Sequence, residues 1–134
     1  MSQVLIIETD RVLGSRLASA LRRQRFQVKK HKDVLEGLRE LAWFSAQMII
    51  WQPDPNDATK LKKFKAIKQY RRYTPLVILD DSATFHDQLD ENTFLYPSDT
   101  EPDVLVQKAV DLLGVPNTPE FEDIDNEPYE ESGY

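Results

Sequence analysis

The chain has 134 residues, of which 40% are apolar and 30% charged, which is enough for one domain with its own core. It contains no cysteine, and this excludes disulfides, thiol nucleophiles and cysteine-based metal sites. No apolar run is long enough to span a membrane, and residues 1–3 lack the basic segment of a signal peptide, so we expect a cytoplasmic location without membrane contact.

The net charge of −6 is concentrated at the C-terminal end of the chain. Without the acidic residues of 115–134, the remaining 114 residues hold 16 acidic and 17 basic side chains, a net charge of +1. Residues 115–134 contain three prolines and few large apolar residues, too few to offset the entropy lost on ordering. We predict a folded domain over 1–114 and a disordered acidic tail over 115–134. The seven acidic residues of the tail are Glu120, Glu122, Asp123, Asp125, Glu127, Glu130 and Glu131.

The first half of the chain alternates between strand and helix patterns. Residues 4–7 are a short, continuous apolar run, which is typical of a strand buried on both faces. Asp10 is suited to begin the next helix, a shorter strand follows over 26–31, and Asp33 begins a second helix. The predicted apolar stripe of that helix consists of Val34, Leu35, Leu38 and Leu41.

The second half continues the alternation through three more strands. Apolar runs predict strands over 48–51, 76–79 and, more weakly, 94–96. A basic helix is predicted over 58–72 and a last helix over 102–113, with Gly114 at its end. Trp43, Phe44 and Trp51 surround the third strand, where we expect them in the core or at its rim. Five alternations of strand and helix predict right-handed crossovers and a doubly wound parallel sheet.

These elements resemble the receiver domain of bacterial two-component response regulators over about residues 3–114. The resemblance rests on an apolar strand ending in acids, a long apolar third strand, a Thr-Pro-apolar fourth strand and a residue–Pro pair after the fifth. It implies an α/β, flavodoxin-like sheet of five parallel strands in the order 2-1-3-4-5, here with the helix between strands four and five cut to about one turn. It also implies a magnesium ion and a phosphorylated Asp, which familiar receivers hold at the strand ends.

The residues at those positions depart from the family pattern. The acidic pair after strand one falls on Glu8 and Thr9, beside Asp10, and the phosphoacceptor falls on Gln52, or on Trp51 with a one-residue slip. The hydroxyl residue after strand four is replaced by Asp80, and the lysine after strand five by Tyr96, although Pro97 is kept. The degenerate pocket is therefore expected to consist of Glu8, Thr9, Asp10, Gln52, Asp80 and Tyr96.

These replacements predict that phosphotransfer is lost. A carboxamide at position 52 cannot form an acyl phosphate, and Asp80 without a lysine would repel a phosphoryl group. Asp54 is the nearest following carboxylate, and its place between two prolines predicts a solvated turn residue. Two interpretations of the acidic strand ends stay open: acids bridged by the Gln52 amide, or a residual site for a cation or small ligand at Glu8, Asp10 and Asp80.

The third predicted helix is unusually basic. We interpret it as a solvated helix face or as a docking surface for an acidic partner, including the chain's own tail. A nucleic-acid surface is an alternative, but the near-neutral domain and the missing recognition motif make nucleic acid a weaker expectation. The basic residues of this helix are Lys60, Lys62, Lys63, Lys65, Lys68, Arg71 and Arg72.

The leading functional hypothesis is a phosphorylation-independent pseudo-receiver that acts as a protein–protein interaction module in bacterial signalling or regulation. We predict no enzymatic activity, no cofactor and no metal site beyond the cation alternative. The wide apolar stripe of the last helix, 102–113, allows a homodimer or partner contact. The protein partner itself is not identifiable from the sequence.

Overall fold

The computed structural model describes residues 2–8 and 10–114, and this part of the chain forms a five-stranded parallel sheet with helices on both faces. The strand order β2-β1-β3-β4-β5 confirms the predicted fold class and strand order. The elements in chain order are β1 (Gln3–Glu8), α1 (Arg11–Arg23), β2 (Gln27–His31), α2 (Val34–Glu40), β3 (Met48–Gln52), α3 (Lys60–Tyr70), β4 (Leu76–Leu79), a 3-10 turn (His86–Gln88), β5 (Thr93–Tyr96) and α4 (Pro102–Leu113).

The sheet separates two apolar cores. Val4 and Ile6 of β1 face the core beneath α1 and α4, whereas Leu5 and Ile7 face the core beneath α2 and α3. The same alternation along β3 and β4 buries these strands on both faces, as their continuous apolar sequences predict. Their polar residues are therefore confined to the strand ends, where the candidate site lies.

A single aromatic residue takes the place of a helix between β4 and β5. The connection contains only the 3-10 turn His86–Gln88, which confirms the predicted shortening. Phe85, just before this turn, is fully buried, with its ring centroid 5.6 Å from that of Trp51 and 5.5 Å from that of Phe64. Its ring fills the space over β3 and α3, so the short connection still closes the core.

Helix α3 begins two residues later than predicted and ends two residues earlier, at Tyr70, so Arg71 and Arg72 follow it. The side chain of Asp57 accepts hydrogen bonds from the Thr59 amide (2.8 Å) and hydroxyl (2.6 Å), and these bonds hold the preceding residues in a turn. Both oxygens of the Asp57 carboxylate are in use, because Lys63 also contacts it. The helix therefore starts at Lys60, which fixes that side chain at the carboxyl edge of the sheet.

Two apolar residues predicted in or near the core are exposed instead. Leu35 is 61% exposed. The side of α2 that faces the sheet contains Val34, so the next residue, Leu35, points toward solvent. Trp43 is 78% exposed, whereas Phe44 and Trp51 are buried as predicted. The tight turn that ends α2 directs the Phe44 ring inward and leaves the adjacent Trp43 ring outside.

The predicted tail, 115–134, lies outside the described residues, so the predicted domain boundary at 114 stays a prediction. Gly114 has a positive φ of 82° and its N–H donates to the carbonyl of Val110 at 2.8 Å, so α4 ends where the sequence predicts. Within residues 2–8 and 10–114, no helix has the length and apolar character required to cross a bilayer.

Candidate functional site

The candidate site lies where β1, β3 and β4 end side by side. In the parallel register, Glu8 at the end of β1 is the partner of Gln52 at the end of β3. The Gln52 carboxamide oxygen accepts the backbone N–H of Asp10 at 3.4 Å, and Asp10 in turn begins α1 by accepting the N–H groups of Val12 and Leu13. The residue at the predicted phosphoacceptor position thus connects β3 to the first turn of α1.

A cavity of about 480 Å³ opens beside Gln52 at this edge of the sheet. Asp10 and Gln52 form part of its wall, together with Lys60, Asp80 and Ser82. The structure therefore brings together three residues of the predicted pocket, Asp10, Gln52 and Asp80. Thr9 lies outside the described residues.

The chemistry of the cavity is dominated by a buried ion pair. The Lys60 Nζ donates to the Asp80 carboxylate at 3.1 and 3.4 Å, and the exposed fractions of the two side chains are only 8% and 4%. The Ser82 hydroxyl donates to the same carboxylate at 2.5 Å and accepts from Lys60 at 3.2 Å. Asp80 is thereby neutralised within the protein, which corrects the expectation of a pocket with acid and no lysine.

Lys60 was missed because it lies in a run of lysines that looks like a solvated helix face. Its spacing nevertheless contains a signal. Lys60, Phe64 and Ile67 are separated by four and three residues, which places all three on one side of a helix, and all three are buried. Lys60 is the polar end of the buried face of α3 and not part of the exposed basic surface.

The other acids near the cavity are held by the protein as well. Asp81 accepts the Ser98 hydroxyl and the Ser98 amide (2.9 Å), and these hydrogen bonds hold the pKa of the Asp81 carboxyl below its usual range. Glu8 is buried against Gly14 of α1, where a Cβ atom would lie 2.3–2.4 Å from its carboxyl group. The Glu8 carboxyl group can occupy this position only because residue 14 is a glycine.

Tyr96 is separated from this cavity. Its half-buried side chain lines a cleft of about 460 Å³ between β5 and α4, together with Lys108 and Asp111. Its backbone carbonyl does reach the site, because it accepts the N–H of Asp80 at 3.0 Å. The position that the resemblance assigns to a lysine thus aligns β5 with β4 but gives no side chain to the cavity.

No three acidic or histidine side chains converge closely enough to hold a metal ion anywhere in residues 2–8 and 10–114. Two of the three acids of the predicted cation site, Asp10 and Asp80, do line the same cavity. The Asp10 carboxylate, however, accepts backbone N–H groups at the start of α1, and the Asp80 carboxylate is paired with Lys60.

Four of the seven basic residues of the third helix are engaged within the domain. Besides Lys60, Lys63 contacts the Asp57 carboxylate before α3, and Lys68 donates to the Thr93 hydroxyl at 2.9 Å. Arg71 donates to the backbone carbonyl of residue 41 at 2.9 Å. The exposed members with no ion pair to a described acid are Lys62, Lys65 and Arg72.

Comparison with known proteins identifies the fold but no close relative. No protein-family profile and no curated protein matches the sequence. Among solved structures, the chemotaxis response regulator CheY4 of Vibrio cholerae superposes with a TM-score of 0.69 at 17% identity, over 84% of this chain and 99% of that chain. A two-component response regulator from Clostridium difficile superposes with a TM-score of 0.73 at 15% identity, over 88% of this chain and 100% of that chain.

The receiver domain of the hybrid histidine kinase CckA gives a TM-score of 0.66 at 17% identity, over 84% of this chain and 99% of that chain. These alignments span almost the whole of each receiver domain, and the strand order is the same one that the resemblance implies. The chain has the fold of a response-regulator receiver domain, at only 15–17% sequence identity to these structures.

Proposed function

We propose that this protein is a signalling module of the receiver type whose conformation is set without phosphorylation and which acts by binding another protein. The receiver fold supports the coarser part of this proposal, a module of two-component signalling. The finer part rests on one observation, the buried ion pair between Lys60 and Asp80 in the cavity where a receiver would hold its phosphoryl group.

The chemistry of phosphorylation lacks its nucleophile here. An acyl phosphate forms when a carboxylate attacks phosphorus, with a cation and hydrogen-bond donors to stabilise the transferring group. The Gln52 side chain is an amide, and its oxygen already accepts the Asp10 N–H. Asp54 is exposed, and its carboxylate accepts the N–H of Asn56 at 2.9 Å in a local turn. Asp54 therefore stabilises the loop that follows β3 and does not line the cavity beside Gln52.

The buried ion pair also engages the positive charge of Lys60, which a phosphoryl group in this cavity would need as a partner. Lys60 is the cation of the cavity, and two atoms of Asp80 and the Ser82 hydroxyl already surround it. A phosphoryl group could recruit Lys60 only by leaving the Asp80 carboxylate buried without its partner, which costs several kcal/mol in typical proteins. Phosphorylation in this pocket is therefore opposed by the ion pair as well as by the missing nucleophile.

The experiment is incubation of the full chain with acetyl phosphate and magnesium, followed by intact mass measurement. We expect no phosphorylated species. A single phosphoryl adduct that hydroxylamine removes would contradict the proposal, since hydroxylamine cleaves acyl phosphates.

Gln52→Asp is the informative companion variant. It restores a carboxylate at the acceptor position, but Asp80 and its bond to Lys60 remain, so we expect no efficient phosphorylation. The added carboxylate near Glu8 and Asp80 should lower the free energy of unfolding by roughly 1–2 kcal/mol. A Gln52→Asp protein that is more stable than the wild type without added cation would contradict this account of the pocket.

The exposed part of the basic helix is the proposed partner surface. Lys62, Lys65 and Arg72 are accessible for an acidic protein. The other basic residues of the predicted helix are engaged within the domain: Lys60, Lys63, Lys68 and Arg71. A homodimer through α4 also remains a proposal, supported by the 47% exposure of Val104.

A further inference from the structure

A cluster of exposed aromatic and basic residues lies at the opposite edge of the sheet from the cavity. Helices in a parallel sheet run back from the carboxyl edge to the amino edge, so α2 and α3 both end at the amino edge. There Trp43, Tyr70 and Tyr73 are 78%, 45% and 76% exposed. With Arg71 and Arg72 they form what we call the basic-aromatic cluster.

The cluster is held in place by specific contacts. The Arg71 guanidinium lies 4.4 Å from the Tyr70 ring centroid and donates to the carbonyl of Leu41, two residues before Trp43. The Arg72 guanidinium lies 5.7 Å from the Tyr73 ring centroid. Arg71 thus ties the segment after α3 to the turn that carries Trp43, and the cations are already stacked on aromatic rings.

Such a surface fits a ligand that is both acidic and aromatic. Guanidinium groups pair with carboxylates, and exposed rings gain from covering apolar or aromatic side chains. Residues 69–75 contain no Asp or Glu that would neutralise the cluster from within the same segment. The surface therefore presents the exposed Arg72 guanidinium together with the rings, while Arg71 holds the cluster in place.

We propose that the cluster binds the acidic segment 115–134 of the same chain. That segment has seven acidic residues, no Lys or Arg, and three aromatic residues at positions 121, 129 and 134. This inference goes beyond the proposed function and stands whether or not the protein is phosphorylated.

The path of the chain supports binding within one molecule. Helix α4 follows β5 and therefore ends, at Leu113, at the amino edge of the sheet, where α3 also ends, but on the opposite face of the sheet from α3. Phe121 follows Gly114 by seven residues, which span up to about 25 Å when extended. This length is about twice the radius of gyration of about 13 Å expected for a folded domain of this size, which is enough for the first acidic-aromatic stretch to pass around the amino edge from the α4 face to the α3 face. A short tether gives an effective concentration of about millimolar, enough to populate individually weak ion pairs.

Nucleic acid is the competing class of ligand for cations and rings on one surface. Residues 1–114 have a net charge of only +1. The tethered acidic segment would also compete with a nucleic acid for the same basic groups. These two observations favour the acidic segment.

The test is a spin-label measurement on the full chain. Because the protein has no cysteine, Asn126→Cys provides a single site for a nitroxide between Phe121 and Tyr129. The indole N–H signals of the two tryptophans then act as reporters: Trp43 belongs to the cluster, whereas Trp51 is buried farther along β3. We expect the nitroxide to broaden the Trp43 signal severalfold more than the Trp51 signal at low salt. This difference should vanish at about 1 M salt, where the Debye length falls to about 3 Å.

Paired variants decide which surface is used. Arg72→Gln with Tyr73→Ser should abolish the selective broadening, whereas the matched control Lys62→Gln with Lys65→Gln, elsewhere on α3, should leave it intact. Equal broadening of both tryptophans, or broadening that survives the cluster variant, would overturn the proposal. So would broadening seen only when label and isotope are on different molecules, which would assign the contact to a second copy. A Trp43 signal that responds to a single-stranded oligonucleotide but not to the nitroxide would assign the cluster to nucleic acid and overturn the proposal as well.

Discussion

At the scale of single residues, Lys60 and Asp80 depend on each other. Lys60 lies at the first position of α3, where the positive end of the helix dipole disfavours a cation, and it is almost wholly buried. Asp80 is buried beside it at the end of β4. Either charge alone would be desolvated without compensation, so the pair is retained or lost as a unit.

This dependence predicts a large effect of removing one partner. Lys60→Met leaves the Asp80 carboxylate buried without its cation and should lower the free energy of unfolding by about 3–5 kcal/mol. Lys65→Met, on the exposed side of the same helix, is the matched control and should change it by less than about 0.5 kcal/mol. Urea unfolding followed by circular dichroism measures both.

A double variant separates the ion pair from simple loss of packing. Lys60→Met combined with Asp80→Leu removes both charges and should recover much of the stability that Lys60→Met loses. If Lys60→Met alone costs no more than the exposed control, the ion pair does not hold the pocket closed.

At the scale of elements, the start of α3 is set by the turn around Asp57. The Lys63 ammonium and then the Thr59 hydroxyl and amide donate to this carboxylate, and they hold the pKa of Asp57 well below its usual range. A lowered pKa in the folded state means that the ionised carboxylate stabilises the fold above the unfolded-state pKa of about 3.9. The stabilisation is lost as the pH falls from that value toward the folded-state pKa.

We therefore expect acid to weaken the protein partly through Asp57. In urea titrations between pH 6 and about 2.5 the Asp57→Asn protein should be less stable than the wild type near neutral pH, and its stability should fall less steeply below about pH 4. Parallel curves for the two proteins would show that Asp57 does not contribute to the acid sensitivity.

The connection between β4 and β5 depends on Phe85 in place of a helix. Phe85→Ala would open a cavity between Trp51 and Phe64 and should cost about 3–5 kcal/mol of unfolding free energy. Leu89→Ala lies just beyond the same turn at a residue that is 43% exposed, and it should cost far less. Equal losses for the two variants would mean that the connection, and not the Phe85 ring, closes this part of the core.

At the scale of the whole molecule, the sheet and its strand order follow from patterns that the sequence shows directly. The continuous apolar runs at 4–7, 48–51 and 76–79 have one stable place, the centre of a sheet covered on both faces. Asp10 and Gly114 mark helix ends through local chemistry, and both predictions are confirmed.

What could not be predicted depends on tertiary contacts. The burial of Lys60 is decided by a residue twenty positions away, and the exposure of Trp43 by which of two adjacent aromatic rings the turn after α2 directs inward. Local composition favours the opposite outcome in both cases, since lysines are usually exposed and tryptophans usually covered. The sequence therefore predicts acidic side chains at the strand ends but not the buried lysine that pairs with Asp80 there.

The two edges of the sheet have different characters. The carboxyl edge holds a cavity whose charged groups are bound within the protein, and the amino edge presents exposed cations and rings. A receiver that signals through its phosphorylation pocket would need the first edge to change. We propose instead that the carboxyl edge stays fixed and that acidic ligands bind the exposed basic residues elsewhere on the domain.

The most direct test of that account is the response of the full chain to beryllofluoride and magnesium, a stable mimic of the phosphoryl group. Amide chemical shifts should be recorded before and after addition, with an active receiver domain in the same buffer as the positive control. We expect the amide signals of Gln52, Lys60 and Ser82 to stay in place while those of the control move. Concerted, saturable shifts of these three signals would show that the pocket still accepts a phosphoryl group and would contradict a conformation set without phosphorylation.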